Sequence, residues 1–103
     1  MANIINSSPQ VPLPTTPTIY HLSMPLANIE YSYLLPPGSQ NIYINNSTEG
    51  VVKFSWSLGT SGSMYISVNQ GSFYFKEGHN LGGKTIYIQN TKPSQILQLE
   101  TWA

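Results

Sequence analysis

The 103-residue sequence contains no cysteine, arginine or aspartate, and its charged residues are four lysines and four glutamates. Without cysteine there is no disulfide framework, no thiolate nucleophile and no sulfur ligand for a metal ion. Charged residues make up 8% of the chain, whereas about a quarter is usual in soluble domains. The formal net charge is zero and the lysines are not clustered, so binding to a phosphate backbone has no electrostatic source. We therefore expect no nucleic-acid partner.

Long apolar runs are also missing. Stretches such as residues 73–75 extend over only three residues, while a membrane-spanning helix needs about 20, so we expect no membrane partner. The first 15 residues lack the positive start and apolar stretch of a secretory signal. On that expectation, the N-x-S/T triplets that begin at Asn6, Asn45 and Asn46 reflect composition rather than glycosylation.

Proline is concentrated at the start of the chain, where five of the eight prolines lie within the first 25 residues. Such a density disfavours helices and central strands. The sequence therefore predicts an extended arm over residues 1–25, with one short strand near residues 19–23 at its end. We expect the arm to lie along another subunit as an already straightened peptide. Its predicted contact residues are Pro9, Val11, Pro12, Leu13, Pro14 and Pro17.

Turn-forming residues punctuate the rest of the chain about every 10 residues, a spacing typical of antiparallel sandwiches and barrels. Between the turns, apolar residues alternate with polar ones at the period of a strand. The pattern predicts seven or eight short strands and an all-β fold over residues 26–103, a single antiparallel β-sandwich for which the jelly roll is one candidate topology. The predicted core comprises Ile42, Ile44, Phe54, Trp56, Ile66, Val68, Phe73, Phe75, Ile86, Ile88, Leu97 and Leu99.

One segment, PLANIEYSYLLPPG at residues 25–38, fits two structures. Pro25 could start a short helix and Pro36 could stop it. The two tyrosines that flank Ser32 fit a strand, and aromatic enrichment favours the strand.

The face opposite the predicted core is rich in tyrosine, asparagine and serine and poor in charge. Lysine and glutamate normally keep the outer faces and edges of sheets soluble and unpaired. Their scarcity indicates that neighbouring chains cover much of this domain, which predicts a homo-oligomer. Tyrosines can also stack on sugars, but one per strand favours broad subunit contact. The outward residues predicted to bind a partner are Tyr43, Tyr65, Tyr74 and Tyr87.

Catalytic and metal-binding patterns are weak. The two histidines, His21 and His79, are far apart in the sequence and neither belongs to a ligand-spaced pair. A hydrolase would need one of them beside a serine and a glutamate, and GTSGS at residues 59–63 fits a hairpin loop better than a nucleophile elbow. We expect no enzymatic activity, no cofactor and no metal. The carboxylates that a site could use are those of Glu30, Glu49, Glu77 and Glu100.

Four short motifs resemble those of a group of small bacteriophage virion proteins. They are an E-Y-S-Y-x-L-P-x-G opening from residue 30, a Y-x-x-E-G element from residue 74, a T-x-Y strand from residue 85 and a final E-x-W from residue 100. The resemblance covers residues 30–102 and leaves out the arm. Its matching residues are Glu30, Tyr31, Tyr33, Gly38, Tyr74, Glu77, Gly78, Thr85, Tyr87, Glu100 and Trp102.

The resemblance implies a small β-sandwich that decorates or cements a phage head, or that sits at the neck or tail, and it brings no catalytic residues. We therefore expect a non-enzymatic structural protein of the virion, assembled in the host cytoplasm. Its expected partners are further copies of itself, in a dimer or trimer, and the phage major capsid protein or another virion protein. The alternatives are a neck or tail accessory protein and a carbohydrate-binding adsorption module.

Overall fold

The computed structural model of the protein describes residues 15–78 and 80–103. Within these ranges the chain is all-β, as predicted, and no helix is long and apolar enough to cross a membrane. Every ladder between neighbouring strands is antiparallel. The strands are β1 (Pro17–Met24), β2 (Tyr31–Leu34), β3 (Asn41–Asn45), β4 (Val52–Ser55), β5 (Ile66–Val68), β6 (Phe73–Glu77), β7 (Thr85–Asn90) and β8 (Gln95–Trp102).

The strands form two four-stranded sheets that enclose the core between them. Sheet A has the order β1-β8-β3-β6 and sheet B has the order β2-β7-β4-β5. The strand pairs follow the pattern of one long folded hairpin, and successive pairs belong alternately to sheet A and sheet B. These pairs are β1–β8, β2–β7, β3–β6 and β4–β5. An eight-stranded double sheet with this order is a jelly roll. The predicted antiparallel sandwich is therefore confirmed.

Strand β1 confirms the short strand predicted near residues 19–23 and extends it. It pairs with β8 over its whole length, from Pro17 opposite Trp102 to Met24 opposite Gln95, and it buries Leu22 and Met24. The sandwich thus includes residues that the predicted boundary at residue 25 assigned to the arm. Pro17 is tolerated because it is the first residue of an edge strand, where a missing N–H removes no central ladder bond.

The ambiguous segment at residues 25–38 forms a strand, β2, and not a helix. Its Tyr31 and Tyr33 lie opposite Ile88 and Ile86, which are fully buried. Directly opposed residues of an antiparallel pair share a face, so both tyrosines pack against the core.

Most of the predicted core is confirmed. The confirmed residues are Ile42, Ile44, Phe54, Val68, Ile86, Ile88, Leu97 and Leu99, all buried. Trp56 follows the end of β4 and is only partly buried against the core. Ile66 lies opposite Phe54 on the inner side of sheet B, but it is 44% exposed because β5 is a short edge strand. Leu35 and Leu81, in loops, belong to the core although no strand pattern marked them.

The prediction of which side chains of β6 point into the core was wrong. Phe73 and Phe75 were expected inside and Tyr74 outside, whereas Phe73 is 62% exposed and Phe75 is 47% exposed. The register explains the reversal, since Tyr74 lies opposite the buried Ile44. The Tyr74 ring packs edge-on against Phe54 with centroids 4.7 Å apart. Burial raises the pKa of its phenol.

A buried polar network closes one end of the sandwich. The side-chain amide of Asn46 donates to the carbonyl oxygens of Gly50, at 2.9 Å, and Val68, at 2.7 Å. Its oxygen accepts from the amide and the hydroxyl of Thr48. The Asn90 amide donates to the same hydroxyl at 2.8 Å. A Cβ atom at Gly50 would clash with the side-chain oxygen of the buried Asn90, so a glycine fits best here. Asn46, Thr48 and Asn90 are therefore structural groups.

Candidate functional site

The outer face of sheet A, the side turned away from the core, is an open surface that carries several exposed apolar side chains. Opposed residues share this face and so lie in rows across the four strands. One row contains Ile19, Glu100, Tyr43 and Phe75. The next contains His21, Gln98, Asn45 and Phe73. The rows at either end contain Trp102 with Asn41 and Glu77, and Ile96 with Ser23.

Aromatic rings dominate the β3–β6 side of this face. The Tyr43 ring stacks on Phe73 with centroids 5.2 Å apart and an interplanar angle of 8°. Phe75 packs beside Tyr43 at 6.0 Å in a tilted arrangement. Ile19 and Ile96 lie elsewhere on the face and are 60% and 62% exposed. Glu100 lies between Ile19 and Tyr43 in their row, so the aromatic rings and the two isoleucines form separate exposed apolar groups on one face. Exposed apolar groups of this kind mark a candidate interaction site.

Polar groups line two shallow depressions on the same face. One, of about 90 Å³, lies between Ile19 and Tyr43 and is also lined by Asn45, Gln98 and Glu100. The other, of about 210 Å³, is lined by His21, Ser47, Ile96 and Gln98. The Trp102 indole N–H donates to the Glu100 carboxylate at 2.6 Å. This hydrogen bond fixes both side chains at the end of the face where β1 begins.

The structure places the four tyrosines that the sequence predicted to face outward, one per strand, on different surfaces. Tyr43 lies on the outer face of sheet A, while Tyr87 and Tyr65 lie on the outer side of sheet B. The Lys53 ammonium sits 4.9 Å from the centroid of the Tyr65 ring. Tyr74 points into the core and is unavailable to a partner. The four tyrosines therefore do not form one binding surface.

Of the predicted arm residues, Pro17 is the exposed first residue of β1, opposite Trp102. Pro9, Val11, Pro12, Leu13 and Pro14 lie outside the described residues. Sequence reasoning missed Phe73, Phe75 and Ile96 as surface residues. No local sequence pattern gives the facing of the two phenylalanines, because it is set by the pairing of β3 with β6, which places Tyr74 opposite Ile44.

The outer face of sheet B differs, because a loop of the chain covers part of it. Ser61 and Gly62 lie over this face beside Gln89, and Ser61 is fully buried there. The Glu30 carboxylate accepts hydrogen bonds from the Gly59 amide, at 2.8 Å, and from both the amide and the hydroxyl of Ser61. The Gln89 amide donates to the same hydroxyl at 3.0 Å. Sheet A has no such cover among the described residues.

The ionised form of the Glu30 carboxylate should stabilise the folded protein. Desolvation raises its pKa, but the hydrogen bonds from Ser61 and Gly59 together outweigh this effect and hold the pKa below its ordinary value of 4.5. A lowered folded-state pKa means that the stabilisation is present above pH 4.5 and is lost as the pH falls through the folded-state pKa. An NMR titration of the carboxyl carbon should therefore have its midpoint below 4.5.

In the Glu30→Gln variant at neutral pH, the Ser61 amide should exchange its hydrogen faster than in the parent chain, because its carboxylate acceptor is gone. The Glu49→Gln variant is a matched control on an exposed carboxylate. Equal exchange in the parent and Glu30→Gln proteins would show that Glu30 does not hold the loop.

The described residues bring together no group of three histidine, aspartate or glutamate side chains that could hold a metal ion. His21 lies exposed on the outer face of sheet A, opposite Gln98. His79 lies outside the described residues. Glu30 has a structural role in holding the loop. The open face presents aromatic rings, side-chain amides, one imidazole and the carboxylates of Glu77 and Glu100.

No family model and no curated protein matches the chain. Among solved structures, a de novo designed double-stranded β-helix determined by solution NMR is similar, with a TM-score of 0.52 and 19% sequence identity. The similarity covers 86% of this chain and 100% of the designed one. At this identity the likeness concerns the fold alone.

Proposed function

We propose that this protein is a non-enzymatic structural component of a bacteriophage virion, a decoration or cement protein that attaches to the head lattice. The single observation that carries the proposal is the outer face of sheet A, where exposed aromatic and aliphatic side chains lie together with few charges. In the proposal, this face is where the chain meets other virion polypeptides.

Two further properties support an assembled state. Exposed apolar side chains also occur at Ile66 in β5, at Met64 just before it, and at Leu26 and Ile29 in the loop before β2. The chain has four lysines and four glutamates in all, so few charges protect these edges from other chains. Such surfaces are costly to leave in water, and contact with neighbouring polypeptides removes that cost.

The test is addition of the full-length protein to phage particles that were propagated without it. We expect binding at a fixed copy number, and electron microscopy of the decorated particles would locate it on the head, neck or tail.

Replacing both exposed phenylalanines by serine (Phe73→Ser with Phe75→Ser) should weaken binding by about tenfold or more, the loss expected from removing roughly 1.4 kcal/mol of contact. Leu58→Ser, which changes an exposed residue away from this face, should bind as the parent does. A parent protein that does not bind would contradict the proposal.

The second candidate function is binding of carbohydrate. It is favoured by the depression beside Tyr43, where a ring lies next to Asn45, Gln98 and Glu100. An aromatic ring flanked by amide and carboxylate groups is suited to a sugar, which presents a C–H face and hydroxyl groups together. A glycan array probed with the parent and with Tyr43→Ala distinguishes the two candidates, because a decoration protein should bind no glycan on it.

A further inference from the structure

We infer that the outer face of sheet A is the docking site for the N-terminal leader, residues 1–14, of a neighbouring copy of this chain. The inference rests on the proposed function, in which this face is an interface between polypeptides, and it names the occupant. Three observations carry it: the place where the leader joins the sandwich, its length, and the match between its composition and the face.

The leader joins the sandwich beside the face. The Thr15 and Thr16 amides both donate to the carbonyl oxygen of Ala103, at 3.0 and 2.9 Å, and the Ala103 amide donates back to Thr16. These bonds continue the β1–β8 ladder past Pro17 and Trp102. The leader is therefore connected at the edge strand of sheet A, next to the row that contains Trp102.

The direction of this connection favours a neighbouring copy. Residues 15 and 16 continue the line of β1 beyond the end of β8, away from the rows that contain Tyr43 and Phe73. To cover the face of its own copy, the chain would have to reverse direction just before Thr15. A second copy that presents its face ahead of the leader requires no reversal.

The leader is long enough for this contact. Fourteen residues in an extended proline-rich conformation reach about 43 Å, at roughly 3.1 Å per residue. A four-stranded sheet is only about 15 Å across, because strands lie about 4.8 Å apart. The extended leader is therefore nearly three times as long as a row of the face.

The chemistry of the two surfaces matches. The leader has no charged side chain, and its apolar residues are Met1, Ala2, Ile4, Ile5, Val11 and Leu13 together with three prolines. Proline-rich segments dock on shallow surfaces lined by aromatic rings, since their extended form costs little entropy to order. Tyr43, Phe73 and Phe75 provide such rings. The amides of Asn45 and Gln98 lie beside them and can bind backbone groups of the leader.

Photo-cross-linking of the full-length protein tests the inference. Leu13 is replaced by benzoylphenylalanine, and equal amounts of ¹⁵N-labelled and unlabelled protein are mixed, equilibrated and irradiated. Mass spectrometry of the digest should show cross-links from the leader to the peptides that contain Tyr43 or residues 73–75, and these should join heavy to light chains. The same probe placed at Tyr87, on the outer side of sheet B, is the matched control and should not give these products.

Light scattering on serine variants gives an independent measurement. The leader variant Val11→Ser with Leu13→Ser should weaken self-association by about tenfold or more, which corresponds to roughly 1.4 kcal/mol. The face variant with serine at positions 73 and 75 should do the same, and Leu58→Ser should not. An equal mixture of the leader and face variants should regain association, because one intact leader then meets one intact face.

Cross-links that join only chains of the same isotope would place the leader on its own copy and overturn the inference. Leader variants that associate as well as the parent would also overturn it. Particle binding by a monomer whose leader cross-links to another virion protein would refute the inference and leave the proposed function intact. Self-association through the leader without any particle binding would support the inference and refute the proposed function.

Discussion

The Phe54→Ala variant is expected to lose about 3–5 kcal/mol of unfolding free energy, the cost typical of truncating a buried phenylalanine. Phe54 is fully buried on β4, where it lies opposite Ile88 on one side and Ile66 on the other. Its ring also packs edge-on against Tyr74, so truncation removes an aromatic contact as well as apolar burial. Urea unfolding of the parent and the variant, followed by tryptophan fluorescence, gives the difference directly.

Phe75→Ala is the matched control, because it removes the same side chain from the exposed outer face of sheet A. We expect its stability to change by less than about 1 kcal/mol, as for most surface substitutions. Simple alternation in the sequence gives the opposite expectation for Phe75. A large loss in Phe75→Ala, comparable with that in Phe54→Ala, would show that β6 turns its phenylalanines inward.

The Asn46→Ala variant is expected to lose about 3 kcal/mol or more, since each buried polar group left without a partner costs roughly 1–3 kcal/mol. Its side chain serves four hydrogen-bonding partners, among them the carbonyls of Gly50 and Val68. Without it, the Thr48 amide loses its acceptor, and the side-chain hydrogen bond between the β3–β4 loop and the Val68 carbonyl is lost. Thermal and urea unfolding measure the loss.

The adjacent Asn45→Ala is the control. Asn45 is exposed on the outer face of sheet A and makes one long side-chain hydrogen bond, to Gln98 at 3.5 Å. We expect a change within about 0.5 kcal/mol. Similar losses at the two positions would mean that the buried network contributes nothing specific to stability.

The strand architecture could be predicted because burial imposes a strict period on most strands. Ile42 and Ile44 in β3, and Ile86 and Ile88 in β7, alternate with polar neighbours, so only one face of each strand can enter the core. The same reasoning failed in β6 because residues 73–75 are all aromatic. Alternation cannot choose between two apolar faces, and the choice was made by the register with β3.

The candidate face could be predicted only in part. Composition indicated a charge-poor exterior, and Tyr43 was placed on it correctly. The neighbours of Tyr43, however, come from β1, β6 and β8, which are distant in the sequence. Ile19, Phe73 and Ile96 become one surface only through the strand order, and no local pattern contains that order.

The jelly-roll topology hosts many unrelated functions, so function has to be argued from the surface rather than from the fold. The similar designed β-helix shares the architecture at 19% identity. What the two chains share is the packing of two sheets. The exposed phenylalanines beside Tyr43 are therefore the stronger basis for assigning a role to this protein.

The pairing of the strands as one long hairpin also sets the order in which the strand pairs can form during folding. Strands β4 and β5 are close in the sequence and can pair early, whereas β1 has to wait for β8. Closing such distant contacts is entropically costly and slow. During synthesis, Leu22 and Met24 of β1 therefore stay uncovered until the ribosome has released β8. For a chain with so few charges to keep nascent copies apart, this delay is the stage at which aggregation competes most strongly with folding.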